Sequence, residues 1–338
     1  MTSRVFRFAI ISVVSSFFLY LLLQLYLPLP SEKLDVEIEV KKGMSTAAVL
    51  KELDDKGLVR DRKLMLILLK ITGADKKIKA GYYSFTDSGS QSGIIAKLLK
   101  GKVIMNDVTI LEGETIWRAA DRLRDAGIMG TDEFFSYNNN YEFLRSMNIN
   151  APSLEGYLYP ETYRFPKGAK PGDVIRHMVW MMRQKFTEDM VARMKEIELN
   201  EREVLTLASI IEKEAVVDLE RPLVSAVYHN RLKKRMRLEA DPTSIYGIKD
   251  YSEGVTRYDI RRNTPYNTYR RRGLPPGPIA APSIKSIIAA LYPADVPYLF
   301  FVSKNNGEHF FSSNIRDHFN AVNRYRSLKE RSRKDNNG

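Results

Sequence analysis

Residues 205–216 read LTLASIIEKEAV, and the fold and the chemistry of this chain turn on how that stretch is placed. Apolar residues at Val204, Leu207, Ala208, Ile211 and Ala215 recur at helical spacing, which predicts a helix with one buried stripe. Asn200, with Glu203 three residues on, marks the start with a capping-box signal. Two glutamates interrupt the pattern, Glu212 and Glu214. At about 100° per residue they cannot share a face. Glu214 falls one turn beyond Ile210 and Ile211, at the border of the stripe, whereas Glu212 points roughly 160° away in projection. A carboxyl held against apolar neighbours loses hydration, so its pKa rises and it keeps a proton near neutrality. That is what a general acid needs. The plainer reading of Glu214 is a cap or an ion-pair partner at the edge of a packing surface.

Downstream, Arg221–Lys233 is predicted as a helix with Pro222 in its first turn. Three strings follow: RLEADPTSIYG at 237–247, TPYNTY at 264–269 and GLPPGPI at 273–279. Their density of Pro, Gly, Asn and Tyr predicts rigid loops. A polysaccharide groove requires such loops, and an irregular connector would also show them. Residues 298–302 and 308–311 read as a hairpin across Asn305-Asn306-Gly307, and the basic tail from Lys329 reads as disordered. Upstream, 175–186 and 187–198 are predicted helices, with Trp180 and its neighbouring methionines read as core. LEGYLYPETY at 154–163 sets aromatics beside two carboxylates, which suits a sugar subsite and a buried strand equally. Tyr137 to Tyr141, with three asparagines between, reads as a loop.

The N-terminus carries a compartment signal. Residues 8–29 hold no charge and are dominated by Leu, Phe, Val and Ile. About 22 residues at 1.5 Å each would cross a hydrocarbon core of roughly 30 Å. Arg4 and Arg7 precede the run, and Glu32 and Asp35 follow it with Lys33. The positive-inside bias therefore places residues 1–7 in the cytoplasm and everything after the span outside it. No small-x-small cleavage site follows, so an uncleaved anchor is expected rather than a signal peptide. After a polar link at 30–37 the chain writes one unit twice. IEVKKG at 38–43 leads into a helical pattern and a stop at Gly57; seventy positions later VTILEG at 108–113 does the same, with a stop at Gly127. The expected divisions are a small α/β module at 38–105, a second copy with connector at 106–150, a mixed α+β domain at 151–328 and a tail at 329–338. Nothing in the repeated units offers a convergent acid, base or metal, so they read as binding modules.

Composition narrows the classes. With 338 residues, 44% apolar and 28% charged, this is a globular chain long enough for two or three cores. A net charge of +12 predicts an anionic partner or surface. For a chain held outside the cytoplasm that means lipid headgroups or wall polymers rather than nucleic acid. The absence of cysteine excludes disulfides and thiol catalysis, and four scattered histidines without an HExxH pairing argue against a zinc hydrolase.

The anchor, LASIIEKEA, HNRLKKRMRLEADPTSIYG, YNTYRRRGLPPGPIAAP and YLFFVSKNNGEHFFS together resemble the MltG (YceG-like) family of endolytic murein transglycosylases, in order and over nearly the whole chain after the membrane segment. The resemblance implies an α+β protein with an N-terminal transmembrane helix, a LysM-like module and a mixed α+β catalytic domain. It implies action on nascent peptidoglycan glycan strands beside the cytoplasmic membrane, with peptidoglycan synthases as partners and no metal or organic cofactor. By it Glu214, the second glutamate of EKE, is the catalytic acid. Glu239 stands where glutamine is usual in that family, and DHFN at 317–320 replaces a more usual E-H-N. A lytic transglycosylase needs no water. Its one carboxyl protonates the bridging oxygen, then takes the proton of the muramic C6 hydroxyl as that oxygen attacks C1. Asp241, Tyr246, Asn267 and Tyr269 are the expected groups for orienting the glycan or stabilising developing charge, with Glu155 and Tyr157 as further contacts. Asp218, Glu155 and Glu161 are the candidates for a second carboxylate. A glycan hydrolase of the same architecture and a non-catalytic wall-binding scaffold are the competing readings.

Overall fold

The computed structural model describes residues 2–29, 36–86 and 89–335; residues 30–35 of the expected link and 336–338 of the expected tail lie outside these. The chain is mixed α and β and divides into two compact units. One runs to Asn106 and includes Arg164–Ala169; the other holds Asp107–Tyr163 and the chain from Lys170 onward.

The first unit begins with α1 (Thr2–Tyr26), the one helix among the described residues long and apolar enough to cross a membrane. Its Phe6–Tyr26 stretch has a mean hydropathy of 2.2, and none of it is buried within the protein. The expected span reached residue 29, but the helix ends sooner. Pro28 has no N–H to continue it and instead bridges Ser90, and Leu29 turns into the core. Next come β1 (Val36–Val40), α2 (Thr46–Asp55), α3 (Arg62–Ile71), β2 (Gly81–Phe85) and α4 (Gln91–Lys100). The two strands are antiparallel with Ile38 opposite Tyr83. Alternation puts Ile38 and Val40 inward, against Leu50, Leu53 and Leu98. Ser45, Asp61 and Ser90 cap the three helices through their side chains.

β3 (Met105–Thr109) begins at the end of the first unit and leads to α5 (Ile116–Asp125) of the second, and the doubled motif holds residue for residue at an offset of seventy. Leu58 N donates to Leu53 O at 2.7 Å, and Ile128 N to Leu123 O at 3.0 Å. Ile38, Val40, Val49 and Leu53 are buried, and so are Val108, Ile110, Ala119 and Leu123. After α5 come α6 (Thr131–Asn138), α7 (Tyr141–Ser146), β4 (Thr162–Pro166), which pairs with β3, α8 (Pro171–Gln184) and α9 (Glu188–Glu196). The central helix is α10 (Glu201–Glu214), and its capping box at Asn200 and Glu203 forms as expected. Around it lie α11 (Arg221–Lys233), α12 (Asp241–Ile245), α13 (Arg257–Arg261) and α14 (Ile284–Leu291). The predicted hairpin is present as β5 (Phe300–Ser303) and β6 (His309–Ser312), and α15 (Ile315–Asp335) closes the chain.

Several expectations change. The organising helix is not one-striped: Val204 to Ile211 are all buried, because α14, α11 and α12 pack on different sides of it. The asparagine run at 138–140 is no loop but a junction, with Asn139 closing α6 and Asn140 capping α7. Residues 154–159 make turns, and the strand begins only at Thr162. There Gly156 sits at φ 77° with Pro278 so close that a Cβ would lie 2.4 Å from its ring, so no other residue fits. Trp180 is not core; it is 51% exposed and stacks on His177. Part of the expected 237–247 loop is helical, since Pro242 suits a first turn. The basic tail keeps a helical backbone to Asp335.

Candidate active site

Glu214 ends α10 at the floor of an open cleft of about 290 Å³. Its carboxyl is pushed up to about 8, first by burial and then by the negative charge of Asp241 nearby. Three groups pull the other way without prevailing: the Tyr228 hydroxyl, donating to Oε1 at 3.3 Å, the Asp241 backbone N–H and the Arg231 cation. A carboxyl so placed stays protonated at neutral pH and still has partners ready for its ionised form. Glu212 has the opposite fate. It does not face away from the packing surface, as the projection implied. Its Oε2 accepts from Ser283 N at 2.8 Å and from Ser283 Oγ at 2.5 Å, and pairs with Arg221 at 3.2 Å. That carboxylate is structural.

Asp241 faces the same cleft, and the Tyr269 hydroxyl donates to its Oδ1 at 2.5 Å. The aim of Tyr269 is set by Asn267. Asn267 is fully buried and donates to the carbonyls of Asp259, Ile260 and Arg262, while its Oδ1 accepts from Tyr269 N at 3.0 Å. Asn267 therefore cannot touch a substrate; it makes its loop rigid. Thr268 joins that loop to α12, its hydroxyl 2.8 Å from that of Thr243 and accepting from Ala240 N at 3.0 Å.

Other expected site residues lie elsewhere. Tyr157 is 1% exposed and packs in the interior. Glu155 is buried with its Oε2 accepting from Tyr246 and from Ile116 N, both at 2.9 Å. Neither Glu155 nor Tyr246 lines the Glu214 cleft. Of the candidate second carboxylates, Asp218 is held by Arg221 and Lys285, and Glu161 and Glu155 stand outside the cleft. Asp241 and Glu239 are the carboxylates that share it, and Glu239 is paired with Arg231 at 3.2 Å.

Reading the sequence missed most of the opposite wall. Arg231 comes from α11, and Phe301 and His309 from the hairpin, while Tyr228 of α11 is buried behind Glu214. Arg231 ties these parts together. It donates to the carbonyls of Leu238 at 2.8 Å and Leu299 at 2.7 Å, pairs with Glu239 at 3.2 Å and lies over Phe300. His309 is fixed by Glu220, Nδ1 to Oε2 at 2.8 Å, and His318 stacks on Phe300. For α11 a signal existed: Val224, Val227, Tyr228 and Arg231 fall on one helical face, and all are buried. The histidines lie in strings that carry the family resemblance, GEHFFS and DHFN, but no local pattern set their place in the cleft.

The chain as a whole resembles known proteins. The YceG-like family matches residues 38–324. The chain belongs to that family. A Bacillus subtilis protein named endolytic murein transglycosylase is 31% identical over 314 residues, covering 88% of this chain and 86% of its own. A Streptococcus pneumoniae protein of the same name is 24% identical over 315 residues, 84% of this chain, and this chain spans 57% of its length. The crystal structure of a YceG-like protein from Listeria monocytogenes aligns with a TM-score of 0.59 at 29% identity, over 84% of this chain and 98% of that one.

Proposed function

We propose that this chain is a membrane-anchored endolytic lytic transglycosylase of peptidoglycan, with Glu214 as its catalytic acid and base. The observation that carries this is a carboxyl pushed up to about 8 at the floor of an open cleft, with Asp241 beside it. Protonated Glu214 donates to the oxygen bridging N-acetylmuramic acid and N-acetylglucosamine. As the C1–O bond breaks, positive charge develops at C1 and the ring oxygen, and the Asp241 carboxylate, held by Tyr269, stabilises it. The muramic C6 oxygen then attacks C1, and its proton passes to Glu214, restoring the acid. One strand leaves with a 1,6-anhydro ring and the other with a free hydroxyl. Because nucleophile and electrophile belong to one sugar, the attack is intramolecular and has a large entropic advantage over water.

The remaining organisation belongs to the same reading. On this reading residues 1–7 lie in the cytoplasm and the cleft outside it, close to nascent strands and to the synthases that make them; the apolar α1 and the charges flanking it support this. The unit at 38–105 is a LysM-like module, 106–150 its second copy and 151–328 the catalytic domain. The sharing of one cleft by Glu214 and Asp241 also suits a hydrolase, which uses two carboxylates. Mass spectrometry of digested murein separates the two. Anhydro-muramyl ends that vanish in Glu214→Gln are the expected result, and reducing ends alone would leave the hydrolase standing.

A further inference from the structure

A second cleft, of about 340 Å³, opens in the same unit between the start of α5 and the chain that follows α12. Its walls are rings. Trp117 lies 5.3 Å from Tyr246, and Tyr246 lies 4.6 Å from Tyr266. Trp117 is 43% exposed, with the Arg118–Asp250 ion pair at 3.2 Å and Asp121 around it. An open ring face fringed by donors and acceptors suits a pyranose, whose C–H face stacks while its hydroxyls hydrogen-bond.

The cleft is built in advance. Gly247, at φ 72°, takes a left-handed turn that favours glycine and passes beside the indole, a Cβ there lying 3.4 Å from the Trp117 ring. The buried Glu155 holds both rings: it accepts from the Tyr246 hydroxyl and from the backbone N–H of Ile116, the neighbour of Trp117. Tyr251, on the same cleft, lies under the ammonium of Lys213 at 4.2 Å, one residue before Glu214. Asp241 begins α12 and Tyr246 follows its last residue, so about 8 Å of helix separates the two clefts along the chain.

The geometry points to this cleft as a glycan subsite, Trp117 and Tyr246 stacking on a sugar of the strand that Glu214 cuts, an assignment that rests on the function proposed above. In the full chain in detergent, Trp180→Phe leaves Trp117 as the only one of the two indoles, and Glu214→Gln prevents cleavage. Titration with peptide-free murein glycan strands should shift the Trp117 emission to saturation. In the active protein Trp117→Ala should keep its Tm and raise KM for long strands roughly tenfold, the loss falling in KM rather than kcat. Emission that ignores the strands, together with an unchanged KM in Trp117→Ala and Arg118→Ala, would overturn the assignment. Binding through Trp117 by a protein that leaves no anhydro ends would keep the subsite and sink the reaction.

Discussion

Glu212 and Glu214 carry the same side chain two residues apart, and their partners alone divide structure from chemistry. Glu212 pairs directly with a cation and has two donors, whereas Glu214 has one distant hydroxyl, a backbone N–H and the unpaired influence of Arg231, set against burial and the negative charge of Asp241. Glu214→Gln should lower murein cleavage at least a hundredfold, the usual scale for losing a general acid, as read by anhydro-muramyl product. Two milder variants should move the alkaline limb of the rate profile in opposite directions from about 8. Tyr228→Phe removes a donor to the ionised form and should move it up. Asp241→Asn removes a repelling charge and should move it down, with a loss of kcat. The same carboxyl bears on stability. Its folded pKa of about 8 lies above the ordinary glutamate value of 4.5, so the folded state holds the proton more tightly. The resulting stability is complete below pH 4.5 and is lost as pH rises through 8. Glu214→Gln should therefore be more stable than its parent at pH 8 or above by a few kcal/mol, about 1.4 per unit. Denaturant titrations at pH 4 and 9 check this, and parallel curves for the two proteins would contradict it.

At the scale of elements, α10 positions the acid because it is enclosed. Its Ser209 hydroxyl accepts from Ile279 N at 3.0 Å, which pins the proline-rich loop to the helix. Gly156 lets Pro278 of that loop come close. Gly156→Ala combines a left-handed backbone with a clash against a ring, and should cost about 1–3 kcal/mol, seen as a lower denaturation midpoint. Glu212→Gln takes the buried one of the two carboxylates from Arg221 and leaves it Asp218, so it should lower stability by about 1–3 kcal/mol. Because Glu212 holds the floor beneath the acid and not the substrate, the alkaline limb of whatever activity survives should stay in place. A limb that moved would make Glu212 part of the chemistry.

At the scale of the whole molecule, α1 is the feature on which the proposed location rests. Its exposed Leu, Phe, Val and Ile side chains are far more apolar surface than a soluble protein leaves bare. Its last turn is nonetheless tied into the first unit, where Arg60 donates to Leu23 O at 3.3 Å and Gln91 to Gln24 O at 2.6 Å. Removing residues 2–21 keeps both carbonyls. It should shift the protein from the carbonate-resistant membrane fraction to the soluble one, with cleavage of purified murein retained. A full-length chain extracted by carbonate would count against the anchor.

What the sequence determined by itself were the features written in local rules. Periodicity, caps and glycine stops predicted α10, α11, the hairpin and the doubled strand–helix unit, because each depends on residues within a few positions of one another. Motif order predicted the family for the same reason. The tertiary structure alone decided the electrostatics. Which glutamate acquires Arg221 and which acquires Asp241 depends on residues from α11, α12 and α14, which no spacing within α10 reveals. Asn267 and Tyr157 are polar or aromatic residues in loop-like strings, yet long-range packing buries them. His309 enters the cleft only when the hairpin folds against α11. Burial and charge pairing are properties of neighbours distant in the chain, so the sequence could nominate Glu214 while only the fold could set its proton affinity.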